Sequence, residues 1–285
     1  MGGIVRNRQM QLLVLLAPGV GYLLIFFGGP LVSALIGSLR QDDGSFTLIF
    51  YERIFTRPSM IRGLVTSIYY GVMPVIVSLA VSIPLALLIR KSFLGRKLFS
   101  GLYKLPMAVP GIIVGLMVIV VFERGGFLDR LVAPIGLELP KLVRDDWGVG
   151  VILASVWKQI PFMTLIITSA FAAIPEDLRY AARNLGASRM KTFVFVEVPL
   201  AMPGITAAIL LTFIGSMGSY AIPDIVGPPT ARPLSVLMVK EFNQGRFNQV
   251  YAMGMVLSLF AVAVLLLYYT LTSRIGPGQN RGDAS

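Results

Sequence analysis

Five stretches of this chain carry no charge over lengths that reach or approach a bilayer's thickness: Gln9 to Leu39, Gly63 to Ile89, Leu105 to Phe122, Val198 to Pro223 and Phe247 to Ser273. A sixth, Trp147 to Pro175, is interrupted only by Lys158. A helix of about 20 apolar residues spans the hydrocarbon core, and with no water there its backbone groups must be satisfied within the segment. The six runs therefore predict an all-α polytopic membrane protein. Its spans fall at 9–39, 63–89, 102–122, 149–174, 198–223 and 248–273, within one domain covering 1–285. The third run is the shortest and borrows flanking residues to complete its span.

Charge sets the orientation. Six spans leave both termini on one face, and that face collects thirteen cations against four anions, whereas the opposite loops hold eleven against ten. Cytoplasmic loops carry the Lys and Arg excess, so both termini are expected in the cytoplasm. The net charge of +11 is then explained by topology and by attraction to anionic headgroups. No nucleic-acid partner is needed to account for it; the partner implied is the lipid bilayer. Arg6 and Arg8 before the first apolar run form half of a signal-peptide pattern. The run is too long for one and lacks a small-x-small exit, so it reads as a retained span.

The chain has no Cys and no His. Disulfides, thiol redox chemistry, His-based metal ligation and any His or Cys catalytic constellation are excluded. A membrane-embedded enzyme would need such groups, or clustered acids, within the spans. A secondary transporter or channel, the main alternative, would more typically show intramembrane acids or an inverted repeat of broken helices. No Gly-rich phosphate loop ending in Lys-Ser or Lys-Thr is present, so ATP is not expected to bind this chain through a P-loop.

Proline falls within several runs: Pro74 and Pro84 in the second, Pro106 and Pro110 in the third, Pro161 in the fourth. Each removes a backbone donor, which suits helices packed around a cavity as well as it suits ordinary membrane helices. Gly111 to Gly115, "GIIVG", has the small-x-x-x-small spacing that lets a neighbouring backbone approach closely. In the last outer loop, "SVLMVKEFNQGR" (235–246) reads as a short amphipathic helix, suited equally to docking a partner or lying in the headgroups.

The polar block 175–199 is more elaborate than a connector requires. Pro175, Glu176 and Asp177 suit a helix N-terminus, and Gly186 suits its end. Ser188 can cap a second short helix, which Pro199 is expected to end. Ala181 and Ala182 thin one face while Arg179, Arg183, Arg189 and Lys191 surround it with positive charge. Such a face is made for close contact with another protein.

This block resembles the EAA loop of permease subunits of bacterial ABC importers, whose pattern is Glu-Ala-Ala, three residues, Gly, nine residues, then Ile-x-Leu-Pro. Ala181, Ala182, Gly186 and Pro199 match identically, Val196 and Val198 stand for Ile and Leu, and Tyr180 departs from Glu. "SVWKQIPF", "VPLAMPGI" and "FIGSMGSYAIPDIVGPP" extend the resemblance toward the spermidine/putrescine, iron(III) and phosphonate branch. The resemblance implies a type I importer permease fold in the bacterial inner membrane. It also implies a second permease, identical or homologous, a cytoplasmic ABC ATPase dimer seated on 175–199, and an extracytoplasmic substrate-binding protein. ATP and Mg would belong to the ATPase, leaving no cofactor in this chain and no covalent chemistry for it to perform.

Lys158 is the one charge inside a run, and an intramembrane charge is expected to serve function. With Trp157 and Gln159 from the fourth span, and Ser216, Ser219, Tyr220 and Asp224 near the end of the fifth, it is the candidate translocation pathway. Asp224 and Tyr220 would suit a cationic polyamine, the cargo favoured by the resemblance, whereas Lys158 would oppose it and favour an anion.

Overall fold

A computed structural model describes residues 2–273. Among them no strand forms; a single isolated bridge pairs Arg40 with Phe46. Among the described residues six helical stretches are long and apolar enough to cross a membrane: Met10–Ser38, Pro58–Ile89, Gly111–Ile135, Val149–Ala172, Arg189–Met217 and Phe247–Leu267. The chain gathers into two compact units, one running through Arg57 and taking in Met238–Ser258, the other comprising Pro58–Leu237 with the chain from Leu259 onward.

In the first unit α1 (Gly2–Leu23) passes through a π-helical turn, Leu24–Gly28, into α2 (Gly29–Ser38), and α3 (Ile49–Thr56) follows. The wide turn has a cause in the sequence. Pro30 is the second residue of α2, and a proline ring clashes with the carbonyl four residues earlier, here that of Phe26 inside the π turn. Widening that turn lets the helix continue past the proline. Gly37 lies against the Tyr251 ring, Ser38 Oγ meets Tyr51 Oη at 2.7 Å, and the buried Gln249 amide donates to the Phe50 carbonyl at 3.1 Å.

The second unit is built on α4 (Pro58–Ile89), α9 (Val149–Ala172) and α12 (Val198–Met217), packed on one another. Small residues set the spacing: a Cβ on Gly71 of α4 would stand 2.8 Å from the Phe213 ring of α12, and Gly204 of α12 lies against Ala170 of α9. Hydroxyls of α4 bridge to α9, Ser78 to the Gln159 side chain at 3.4 Å and Ser82 to the Ile160 carbonyl at 3.3 Å. Pro74 and Pro84 leave α4 unbroken.

Between α4 and α9 run α5 (Arg96–Leu102), α6 (Leu105–Ala108), α7 (Gly111–Phe122) and α8 (Phe127–Val132). The third span expected at 102–122 is thus divided, and its apolar helix starts only at Gly111. Pro110 forces Val109 into extended backbone (φ −81°, ψ 123°), which ends the helical run before it. Past the break, "GIIVG" brings α7 against α13 (Ala221–Val226), with a Cβ on Gly115 at 3.3 Å from Ile225.

Asp145 starts α9: its carboxylate accepts the backbone N–H groups of Trp147 at 3.1 Å and Val149 at 3.0 Å. Gly148, at φ +64°, faces the Tyr70 hydroxyl where a side chain would collide. Beyond α9 come α10 (Glu176–Asn184), α11 (Arg189–Thr192), a second π turn at Phe193–Glu197, and α12; later, α14 (Leu234–Asn243) and α15 (Phe247–Ser273) close the described chain.

The end assigned to Pro199 needs correcting. The helix from Arg189 does not stop there but continues to Met217, because the π turn again precedes a proline at the second position of the next helix. Pro199 would clash with the Phe195 carbonyl, and the widened turn relieves it. At the other end the helix breaks at Gly218, short of the expected 223, and α13 starts afresh at Ala221.

Candidate coupling loop and transport cleft

The segment 175–199 forms an elbow. Pro175 takes the position before α10, Glu176 and Asp177 fill its first turn, and the helix ends in a hydrogen-bonded reversal. Gly186 N–H reaches the Arg183 carbonyl at 2.9 Å and Ala187 N–H the Ala182 carbonyl at 3.0 Å. This double closure requires a left-handed residue, and Gly186 supplies it at φ +85°. Ser188 then caps α11 by accepting the Lys191 N–H at 3.3 Å. The elbow shows its side chains outward: Tyr180, Ala181, Arg183 and Arg189 are exposed, as are the large apolar Leu185 (89%), Met190 (70%) and Phe195 (75%). Apolar side chains this exposed, set among arginines, are characteristic of a surface that meets another protein or lipid.

Behind the elbow lies an ionic cluster that sequence reasoning counts only as surface charge. Glu197 is buried and pairs with Arg90, at the end of α4, at 2.8 Å and with Arg179 of α10 at 3.2 Å. Arg179 also donates to the Phe171 carbonyl at 2.9 Å, and the Arg90 guanidinium lies 5.3 Å from the centre of the Phe171 ring. The elbow is thereby tied at one carboxylate to α4, the end of α9 and the start of the fifth long helix. The signal available in the sequence was Glu197 itself, a lone acid within "FVFVEVPL".

The candidate pathway residues separate into two groups. Lys158, Gln159, Ser216 and Ser219 line one cleft of about 270 Å³, together with Gly111, Ser155 and Thr212. Lys158 Nζ donates to the Val109 carbonyl at 2.6 Å, and the Gln159 amide donates to Ser216 Oγ. Trp157 turns away from this cleft into an apolar groove with Val114, Met117 and Phe122. Tyr220 and Asp224 do not line it either; the Tyr220 hydroxyl donates to Asp224 Oδ2 at 3.1 Å on the exposed side of α13. That hydrogen bond to the carboxylate holds the Tyr220 phenol above its ordinary pKa. Among the described residues no cluster of acids suits a metal ion.

Residues 78–279 match the model of the family described as "Binding-protein-dependent transport system inner membrane component". The chain belongs to this family. It is the permease subunit of an ABC importer, a multi-pass transport component and not an enzyme. The permease is 26% identical over 272 residues to the spermidine/putrescine transport system permease protein PotB of Escherichia coli, covering 90% of this chain and 95% of that one. It is 27% identical over 215 residues to the molybdenum transport system permease protein ModB of Haemophilus influenzae, covering 72% and 91%. Its fold matches a chain in the crystal structure of a bacterial alginate ABC transporter in complex with its pentasaccharide-bound periplasmic protein. There the TM-score is 0.79 at 20% identity, over 94% of this chain and 96% of that one.

Proposed function

We propose that the permease spans the bacterial inner membrane six times with both termini in the cytoplasm, pairs with a second permease, and takes its solute from an extracytoplasmic binding protein. Cytoplasmic ATPases, which would hold the ATP and Mg, drive it by gripping the elbow at 175–199, and the solute passes by the Lys158 cleft. The observation that carries this reading is the elbow itself: it is exposed on its outer side and anchored from behind through buried Glu197. A grip on such an element moves the long helices rather than deforming a loose loop.

The cargo under this reading is a small charged solute. A polyamine is supported by the likeness to PotB and by Tyr220 with Asp224, but the likeness to ModB is of similar strength, so kinship alone assigns no sign of charge. The test of the coupling reading is co-purification of the permease with its cognate ABC ATPase and measurement of vanadate-sensitive hydrolysis. Leu185→Glu, at a side chain 89% exposed, is expected to abolish that coupled hydrolysis with the permease still folded. Hydrolysis and assembly unchanged by Leu185→Glu and by a bulky charge at Ala181 would refute docking at the elbow.

A further inference from the structure

We infer that the cleft beneath the α7 break is selective for anions, with the Lys158 ammonium as its fixed counter-charge. This deepens the transport reading and rests on it. Lys158 meets no counter-charge: its one bonded acceptor is the neutral carbonyl of Val109, turned out of helical bonding by Pro110, and an ammonium has two further hydrogens to give. No Asp or Glu lines the cleft, and no carboxylate pairs with Lys158 among the described residues. Asp224, the one acid expected to serve the pathway, is engaged by the Tyr220 hydroxyl and lies outside the lining.

The neutral groups point the same way. Ser216 Oγ accepts from the Gln159 amide, which leaves the serine hydrogen free to donate, and Ser219 adds a second hydroxyl. Gly111, first residue of the twelve-residue α7, lines the cleft, so the positive end of that helix borders it. A cation, donor hydroxyls and a helix N-terminus without a carboxylate complement an oxyanion or a carboxylate. A polyamine would instead meet an unneutralised ammonium in surroundings that screen charge poorly. The volume of about 270 Å³ admits a small anion of this kind.

The test uses the complete transporter, permease with its partner permease, ATPases and binding protein, in proteoliposomes supplied with ATP. Labelled sulfate, molybdate and succinate serve as anionic probes and putrescine as the cationic one. The expected result is ATP-dependent uptake of at least one anion and none of putrescine. Lys158→Met should lower that uptake about tenfold to a hundredfold, the scale of one charge-assisted hydrogen bond, while Lys158→Arg keeps most of it. Uptake of putrescine, uptake of no anion while vanadate-sensitive hydrolysis persists, or anion uptake indifferent to Lys158→Met overturns anion selectivity and leaves the transport reading standing. Absence of vanadate-sensitive hydrolysis with the unaltered chain overturns both.

Discussion

Glu197 receives the Arg90 guanidinium at 2.8 Å across 107 residues of sequence, and the same carboxylate pairs with Arg179 at 3.2 Å. The cluster therefore holds two cations to one anion, and its members are unequal. Glu197→Ala leaves two guanidiniums facing one another, with side chains only 20% and 16% exposed, whereas Arg90→Ala leaves a neutral Arg179–Glu197 pair. Breaking a buried pair by removing one partner costs about 3–5 kcal/mol. Glu197→Ala is expected near the top of that range and Arg90→Ala near or below its bottom, read as shifts in the unfolding temperature of the detergent-purified permease. Equal shifts would show that Arg179 does not share the carboxylate.

Gly186 separates backbone from contact. Nothing stands within 4 Å of a Cβ placed there, so Gly186→Ala meets only the left-handed backbone at φ +85°. That strain is worth about 1–2 kcal/mol, and Gly186→Asn should recover part of it because asparagine tolerates the conformation. Thermal unfolding of the permease alone should rank Gly, Asn, Ala in falling order. Indistinguishable Asn and Ala variants would remove the conformational account.

Gly71 is limited by contact instead. Its Cβ would lie 2.8 Å from the Phe213 ring, at the packing of α4 on α12. Gly71→Ala is expected to cost on the order of 1–3 kcal/mol through overpacking, and Phe213→Leu in the same chain to return part of the loss. Additive losses in the double variant, measured by unfolding temperature, would show that the two sites do not touch.

Asp145 organises the start of α9 through a carboxylate that faces backbone N–H groups at 3.0 and 3.1 Å. Asp145→Asn keeps an acceptor oxygen but loses the charge at the positive helix end, and should cost less than about 1 kcal/mol. Asp145→Ala loses both and should cost about 1–2 kcal/mol. Proteolysis near Trp147 in the folded permease should rise in the same order.

The six long helices and the elbow's caps were legible because they depend on composition and spacing over a few residues. Apolar runs, Gly186 and Ser188 announce themselves locally. Pro199 did not, since a proline reads as a stop unless the preceding turn widens, and that widening depends on where the Phe195 carbonyl can go. The partition of the pathway residues was also hidden. Trp157, Lys158 and Gln159 are consecutive, yet helical geometry turns Trp157 to an apolar groove and its two neighbours to the polar cleft. Arg90 with Glu197, and Lys158 with Val109, are long-range partners that no local pattern marks.

The π turn that carries the backbone past Pro199 has a mechanical consequence. Arg189–Met217 is one rod of 29 residues, with one end on the exposed elbow and Ser216 of the cleft at the other. From Glu197 to Met217 the rod runs about 30 Å at about 1.5 Å per residue, so a tilt of about 5° about Glu197 displaces the far end by about 3 Å. Under the proposed coupling it would act as a lever arm, with the Arg90–Glu197–Arg179 cluster, near its elbow end, as the fulcrum.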